Sequence, residues 1–422
     1  MDQNRCIKKL PDMFPIPNIN AVPGYDVVIV GAGPVGLLLG CLLGAQGVRV
    51  VILEKRTHPL AHSMAIGITP PSLQILARLG FADEFINSGV KVRDCFLHGE
   101  SGYLGRVSFR EIAGEHRYVL ALPQSETISL LQRKIAEFPS VTIRTGVELA
   151  DVKQHQDRVE TCFSTKYGAD SETISARFLV ACDGSRSRVR DMMYVRAKGW
   201  HYVRHFVMGD FVDRSGLKDG AHLFFTADGS VESFPLPGGK RRWIVQTREH
   251  FHDAPAGLIS KIVRQRAGIH LPTQDQINQS SFTPRRLNCD RYHNGRMILC
   301  GDAAHVMSPI GGQGMNTGFA DAEFLANALQ ATLCRGAIAE PLLAAYGHYR
   351  RKAAQSAIMR AQWGMWLGTL HGKTLSLLRD FILRRACRGF LAHHMGPFYA
   401  MLTIPYNTLE CVPVETLNTQ TA

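Results

Sequence analysis

Paired cysteines are missing from this chain. Its ten cysteines (Cys6, Cys41, Cys95, Cys162, Cys182, Cys289, Cys300, Cys334, Cys387 and Cys411) are scattered through 422 residues without a C-x-x-C pair, and several fall inside apolar strand or helix patterns. That spread argues against a zinc site or a disulfide framework and fits reduced thiols used as small hydrophobes. Long hydrophobic runs are missing too: no stretch approaches the roughly 18 apolar residues of a membrane span. Residues 1–24 carry Pro11, Pro15, Pro17 and Pro23 between polar residues, with no apolar segment of the secretory type. The expectation is a cytoplasmic protein. Acidic residues are in short supply, 36 against 48 Lys and Arg, for a net charge of +12. From Pro341 to Ala422 the balance is nine basic to three acidic. No helix-turn-helix, finger or RNA-binding signature accompanies this excess, so nucleic acid is set aside. Anionic small molecules or acidic lipids are its remaining counterparts. A length of 422 residues suits two or three folded units, 45% hydrophobic residues allow a sizeable core, and 20% charged residues argue against wholesale disorder.

The glycine that is present is concentrated where it has chemical meaning. Tyr25 to Val30 reads as a buried parallel strand and runs into Gly31-Ala32-Gly33-Pro34-Val35-Gly36. A helical segment, Leu37 to Gln46, and a second strand, Val48 to Leu53, follow, and Glu54 closes the strand. Gly31 permits the tight turn, Gly33 a close approach to pyrophosphate, and Gly36 close packing of helix on strand, while the helix start offers free N–H groups to the anion. Glu54 lies 18 residues after Gly36, where a carboxylate accepts both hydroxyls of an adenine ribose. An acid there favours a free 2′-hydroxyl, as in FAD or NAD.

Two more strand–loop units recur downstream. Arg177 to Ala181 leads into Asp183-Gly184-Ser185-Arg186-Ser187-Arg188-Val189-Arg190. Arg296 to Cys300 leads into Gly301-Asp302-Ala303-Ala304-His305, then Pro309, Gly311-Gly312-Gln313-Gly314-Met315-Asn316 and Gly318, before a helical pattern from Phe319 to about Ala331. Asp302 can accept hydrogen bonds from a polyol. The bare backbone at Gly311, Gly312 and Gly314, ahead of a helix starting near Met315, can hold negative charge on a ligand such as reduced flavin. In this order the three motifs resemble the fingerprints of the single-component FAD-dependent aromatic hydroxylases, the 4-hydroxybenzoate hydroxylase-like family, over roughly residues 24–350. The resemblance implies FAD as cofactor, NADPH or NADH as co-substrate, and O2 added to the flavin as a C4a-hydroperoxide that hydroxylates an aromatic ring. It assigns cofactor binding to Gly31, Gly33, Pro34, Val35, Gly36, Glu54, Lys55, Arg56, Gln124, Val147, Asp183, Gly301, Asp302, Pro309, Gly312, Gly314, Met315 and Asn316. Pro309 also lines the reaction pocket, and Asp183 and Arg188 belong to the motif tied to both FAD and NAD(P)H. Where many relatives have arginine this chain has Met64, a departure that bears on NAD(P)H docking.

The fold class expected is α/β: a Rossmann-like FAD-binding domain, a mixed β-sheet substrate domain and C-terminal helices. The FAD unit is discontinuous, residues 24–95, 121–195 and 286–340. Residues 96–120 and 196–285 form the substrate sheet, 341–422 the helical region, and 1–23 an irregular extension. Within the sheet, His205 to Val212, Ala221 to Phe225, Val231 to Leu236 and Arg242 to Thr247 read as strands. His222, Phe224 and Phe234 are the substrate-side candidates, and His205 and His222 the candidate bases for a phenol. Leu375, Leu378, Phe381 and Ile382 fall at helical spacing among arginines. Such a face either packs on the flavin unit or meets a lipophilic substrate or an acidic membrane. The partners expected are a phenolic or polycyclic aromatic substrate, O2 and NAD(P)H, in a monomer or homodimer. An epoxidase, a halogenase, a reductase and a non-catalytic flavin-binding protein are the alternatives.

Overall fold

A computed structural model describes residues 24–58, 65–165, 171–309, 311–388 and 391–405. Met64 and the expected extension 1–23 lie outside the described residues. The architecture is α/β, with a Rossmann-like layer, a mixed second sheet and C-terminal helices. β-Branched runs build the first sheet. Its parallel strands lie in the order Val141–Thr145, Val50–Glu54, Tyr25–Val30, Ser171–Ala181, Met297–Leu299. Helices cover it, so Val27, Val28, Ile29, Ile52 and Leu179 are fully inaccessible. Helix Pro34–Gly44 is apolar nearly all round because it sits between that sheet and the helices Gln124–Ile135 and Gln313–Arg335.

The second sheet has seven strands in the order Ser280–Phe282, His205–Val212, Lys240–Thr247, Gly229–Leu236, Ala221–Thr226, Asp94–Gly99, Gly102–Ser108. All neighbours are antiparallel except Asp94–Gly99 beside Ala221–Thr226. Strand alternation gives it two unlike faces. On the outer face Val207, Phe211, Phe224, Val231, Trp243 and Val245 pack beneath helix Leu258–Ala267. On the inner face Leu223 and Phe225 meet Leu383 and Tyr399 of the C-terminal helices and Leu402 just beyond them, and Phe234 meets Val92 and Ala121.

The C-terminal helices run Ala339–Gly368, Lys373–Ala386 and Ala392–Tyr399. The apolar spacing at Leu375, Leu378, Phe381 and Ile382 permits core packing, but these side chains point to solvent, and Ser376, Arg379, Asp380 and Leu383 are the buried ones. Spacing fixes which residues share a face, and only the tertiary contacts decide which face turns inward. Among the described residues no helix is long and apolar enough to cross a membrane.

Candidate active site

The three glycine-bearing loops meet at the carboxyl ends of the parallel strands, where open α/β sheets bind ligands. Gly31 has φ +106°, and a Cβ on it would sit 2.4 Å from the Cys182 carbonyl oxygen, so the first loop lies directly on the second. At Gly36 a Cβ would meet the Gly31 carbonyl oxygen at 2.1 Å. Val35 wedges against Gly301 and Gly318, which joins the first loop to the third. Gly33 is different. A Cβ there meets no protein atom within 4 Å, so its backbone borders open space at the start of helix Pro34–Gly44, which has no side-chain cap. That is the cradle a pyrophosphate needs.

Pro34, the first residue of that helix, is buried, and Val147 is buried in the main core. Glu54 accepts hydrogen bonds from Ala32 N (2.9 Å) and Arg56 N (3.0 Å), which fixes its carboxylate at the mouth of the turn. Lys55 and Arg56 beside it are exposed. Gln124 accepts a hydrogen bond from Ala65 N (3.2 Å) at the head of its helix. Asp183 accepts one from Val189 N (3.3 Å), and its Oδ1 is buried without a partner among the described residues. Burial pushes its carboxyl up. Arg188 is exposed, with Ala150 O at 3.5 Å. The motif's buried arginine is instead Arg190, which donates to Ala303 O (3.1 Å) and Ser185 O (3.2 Å) and so ties the second loop to the third.

In the third loop Asp302 is exposed while Gly301 and Ala303 to Ser308 are buried. Protein packed around this carboxyl still pushes it up, although His305 and Arg285 act the other way. An accessible carboxylate ringed by protein marks the floor of a cleft. Pro309, Gly311 and Gly312 are also exposed, and Gly314 is half-buried. The helix begins at Gln313, with Gly312 in the left-handed region and no side-chain cap. Met315 is buried, and the Asn316 amide bridges Thr69 N (2.9 Å), Gly67 O (2.9 Å) and Gly312 O (2.7 Å). Open glycine backbone, two uncapped helix starts and carboxylates at Glu54 and Asp302 fit the phosphates and hydroxyls of FAD.

The family model for FAD binding domains matches residues 24–361. The chain belongs to this flavoprotein family. The aromatic compound monooxygenase YhjG of Bacillus subtilis, whose function is uncharacterized, is 30% identical over 345 residues, 80% of this chain and 68% of that protein. The rifampicin monooxygenase of Streptomyces venezuelae is 31% identical over 305 residues, 71% of this chain and 62% of its own length. Among solved structures, the OxyS anhydrotetracycline hydroxylase of Streptomyces rimosus superposes with a TM-score of 0.75 at 27% identity, covering 91% of this chain and 77% of that one. The p-nitrophenol 4-monooxygenase PnpA of Pseudomonas putida DLL-E4 shares the fold, with a TM-score of 0.80 at 23% identity over 94% of this chain and 99% of that one.

The flavoprotein's substrate-side candidates are not brought together. His222 and Phe224 lie on the outer face of the seven-stranded sheet, and Phe234 on the inner face. His222 is stacked between Phe96 and His98, with His98 Nε2 3.0 Å from its Nδ1. Burial, with His98 and Arg241 nearby, lowers its pKa to about 4, so it is a weak base. His205, on the same outer face, sits 2.7 Å from Thr283 Oγ1. The reason is the two-residue period: 222 and 234 are both even, but the intervening turn resets the register so that His222 pairs with Ser233 and turns with it. A 430 Å³ crevice lined by Arg204, Arg248, Gln246 and His371 contains none of the fingerprint residues.

Sequence reading missed the support behind the third loop. Asp321 accepts from Gly301 N (3.3 Å) and Arg350 Nε (2.7 Å), and lies 2.5 Å from His305 Nε2, all buried. Burial raises the Asp321 pKa, but His305 and Arg350 outweigh it and leave the carboxyl below its usual range. The signal available was thin: an acid and an arginine on apolar helix faces.

Proposed function

We propose that this flavoprotein is an NAD(P)H- and O2-consuming monooxygenase that hydroxylates an aromatic, phenolic or polycyclic ring. The observation that carries the reading is the three-loop cradle, with open backbone at Gly33 and at Gly311–Gly312 and carboxylates at Glu54 and Asp302. Bound FAD supplies electron uptake from NAD(P)H and activation of O2. The protein's part is to hold and orient: Gly31 to Gly36 seat the pyrophosphate, Glu54 the adenosine ribose, Asp302 the ribityl chain. The start of helix Gln313–Arg335 steadies negative charge on the reduced ring, and the sheet and C-terminal helices exclude water over Pro309. The named relatives act on aromatic substrates, which supports the ring class. Purified protein should show the two visible flavin bands, and a panel of phenols should accelerate NAD(P)H oxidation with formation of hydroxylated product. A colourless protein that takes up no FAD overturns the reading.

Helix Lys373–Ala386 adds a location to this reading. Its outward face carries Leu375, Leu377, Leu378, Phe381 and Ile382, bordered by exposed Lys373, Arg385 and Arg388, while its one acid, Asp380, is buried against Arg379. Apolar surface edged by cations alone complements an anionic lipid surface, whereas a second copy would oppose arginine to arginine. The holoenzyme should float with phosphatidylglycerol vesicles and stay behind with phosphatidylcholine vesicles, and Leu378→Gln/Phe381→Gln should abolish flotation. Equal recovery of variant and wild type, or a dimer in sedimentation that the same changes disrupt, overturns lipid docking.

A further inference from the structure

Among the described residues, one acid on the inner face of the seven-stranded sheet has no cation beside it. The register aligns Leu223, Glu232, Ile244 and Met208 in a single row across four strands. Glu232 is 9% exposed, and among the described residues no hydrogen bond or ion pair reaches its carboxyl. The other buried acids of the sheet region have a cation, Asp210 with Arg242, Asp275 with Arg214 and Asp94 with Arg110, as does half-buried Asp213 with Arg241. A carboxyl buried alone is costly and is not needed to hold this fold.

Part of this face stays accessible, although Met208 at the end of the row is buried. Leu223, Phe234 and Ile244 around Glu232 stay half-buried, whereas Val231, Trp243 and Val245, their counterparts on the outer face, are almost wholly inaccessible. Tyr399 and Leu402 pack on this side of the sheet, and Met401 lies between them in sequence. Met401 packs with Met307 of the third loop, and its sulfur takes Thr69 Oγ1 at 3.9 Å, next to the Asn316 staple. On the same face Phe234 meets Ala121, whose strand pairs with Gly67 beside the Asn316 amide, so this half-buried side of the sheet faces the third loop.

We infer that Glu232 is the base of this enzyme, its carboxylate accepting the hydroxyl proton of a phenolic substrate that lies on the inner face of the sheet. The inference rests on the aromatic monooxygenase reading above. In this step the substrate O–H bond breaks and a carboxyl O–H bond forms. The electron pair stays on the phenolate oxygen, and nothing is oxidised or reduced. The oxidation that follows draws on O2 and NAD(P)H, and the phenolate ring is the more electron-rich partner for it.

The surroundings suit the task. Burial alone pushes the Glu232 carboxyl up to about 7, near the working pH at which a general base is most useful. Cys95 on the strand Asp94–Gly99 and Tyr399 on helix Ala392–Tyr399 are both pushed up to about 12, so both stay neutral beside it. Cys387, on the C-terminal side of Cys95, is also raised by burial. Arg242 and Asp210, one row over, neutralise each other at 2.6 Å. His98 and His222 belong to the opposite face.

The test compares wild-type and Glu232→Gln holoenzyme with the phenol that most accelerates NAD(P)H oxidation and with its nitro-substituted analogue, which is already ionised at pH 8. For wild type, kcat/KM for the un-ionised phenol should rise as pH passes from 6 to 8. The variant should retain its FAD bands and its anaerobic reduction by NAD(P)H, lose about 100-fold in kcat/KM for the un-ionised phenol, lose the rise with pH, and work normally on the ionised analogue. Glu232→Asp should restore part of the loss. A variant with the wild-type pH profile, or one that loses equally on both phenols, overturns the inference. Absence of FAD from the wild type would instead overturn the function beneath it, and shows before any phenol is added.

Discussion

Single atoms distinguish glycines that the fold requires from glycines whose backbone borders open space. At Gly36 an added methyl would meet the Gly31 carbonyl oxygen at 2.1 Å, so Gly36→Ala should lower the thermal midpoint even without cofactor. At Gly33 the backbone is extended-compatible (φ −75°, ψ 176°) and the Cβ would stand in open space. Gly33→Val should therefore keep the apo midpoint within about 1 kcal/mol of wild type while weakening FAD binding at least about tenfold, a loss of about 1.4 kcal/mol. Equal behaviour of the two variants would contradict the cradle. Glu232 makes a second prediction at this scale. Its pKa rises from 4.5 in the open chain to about 7 in the fold. Below pH 4.5 both states are neutral and nothing is lost. As pH climbs toward 7 the unfolded chain ionises first, so folding weakens, by on the order of 3 kcal/mol. Urea unfolding at pH 5 and pH 8 should show this loss in wild type and much less of it in Glu232→Gln.

Elements carry the next set of decisions. The start of helix Gln313–Arg335 is held beside the third loop by Asp321, two turns in, which is gripped by Arg350 from the helix Ala339–Gly368 and by His305 from the loop before it. Asp321 also holds Gly301 N, next to Asp302. Asp321→Asn leaves Arg350 buried without its anion, which should cost about 3–5 kcal/mol and weaken FAD binding through the Gly301–Asp302 turn. Calorimetry and flavin titration of the variant check both effects. An unchanged thermal midpoint would show that Arg350 finds another partner. The helix Lys373–Ala386 shows how far an element's pattern can be read alone. Its spacing is that of any amphipathic helix, yet the buried side is Ser376, Arg379, Asp380 and Leu383, with Arg379 reaching the Phe225 carbonyl oxygen at 2.8 Å.

Over the whole molecule the charge is +12, and it is spread far beyond the cofactor loops. A positive protein draws polyanionic dinucleotides toward it, and salt screens that attraction over about 10 Å at 0.1 M. kcat/KM for NADPH should fall several-fold between low and about 0.5 M ionic strength, and more steeply than for NADH, which lacks the extra phosphate. Stopped-flow reduction of the bound flavin measures it. Equal slopes would place the cationic surface away from the nicotinamide approach.

The sequence by itself determined the cofactor and the Rossmann-like layer, because phosphate binding by backbone needs glycine at fixed offsets after a β-branched strand. Such offsets are local and survive without any knowledge of the tertiary contacts. The four central strands of the second sheet were legible for the same reason, as alternation is a property of neighbours in the chain. Which face of that sheet each side chain takes relative to its neighbours was not legible. His222 and Glu232 sit ten residues apart on paired strands, and the turn between them, together with helix Leu258–Ala267 on one side and Tyr399 to Leu402 on the other, decided that the histidine is stacked away and the acid turned inward. The same holds for Asp321, His305 and Arg350: their meeting depends on helix packing 16 to 29 residues apart in sequence. Side-chain chemistry is written in the chain, but the dielectric and the partners that set its pKa come only from the folded surroundings.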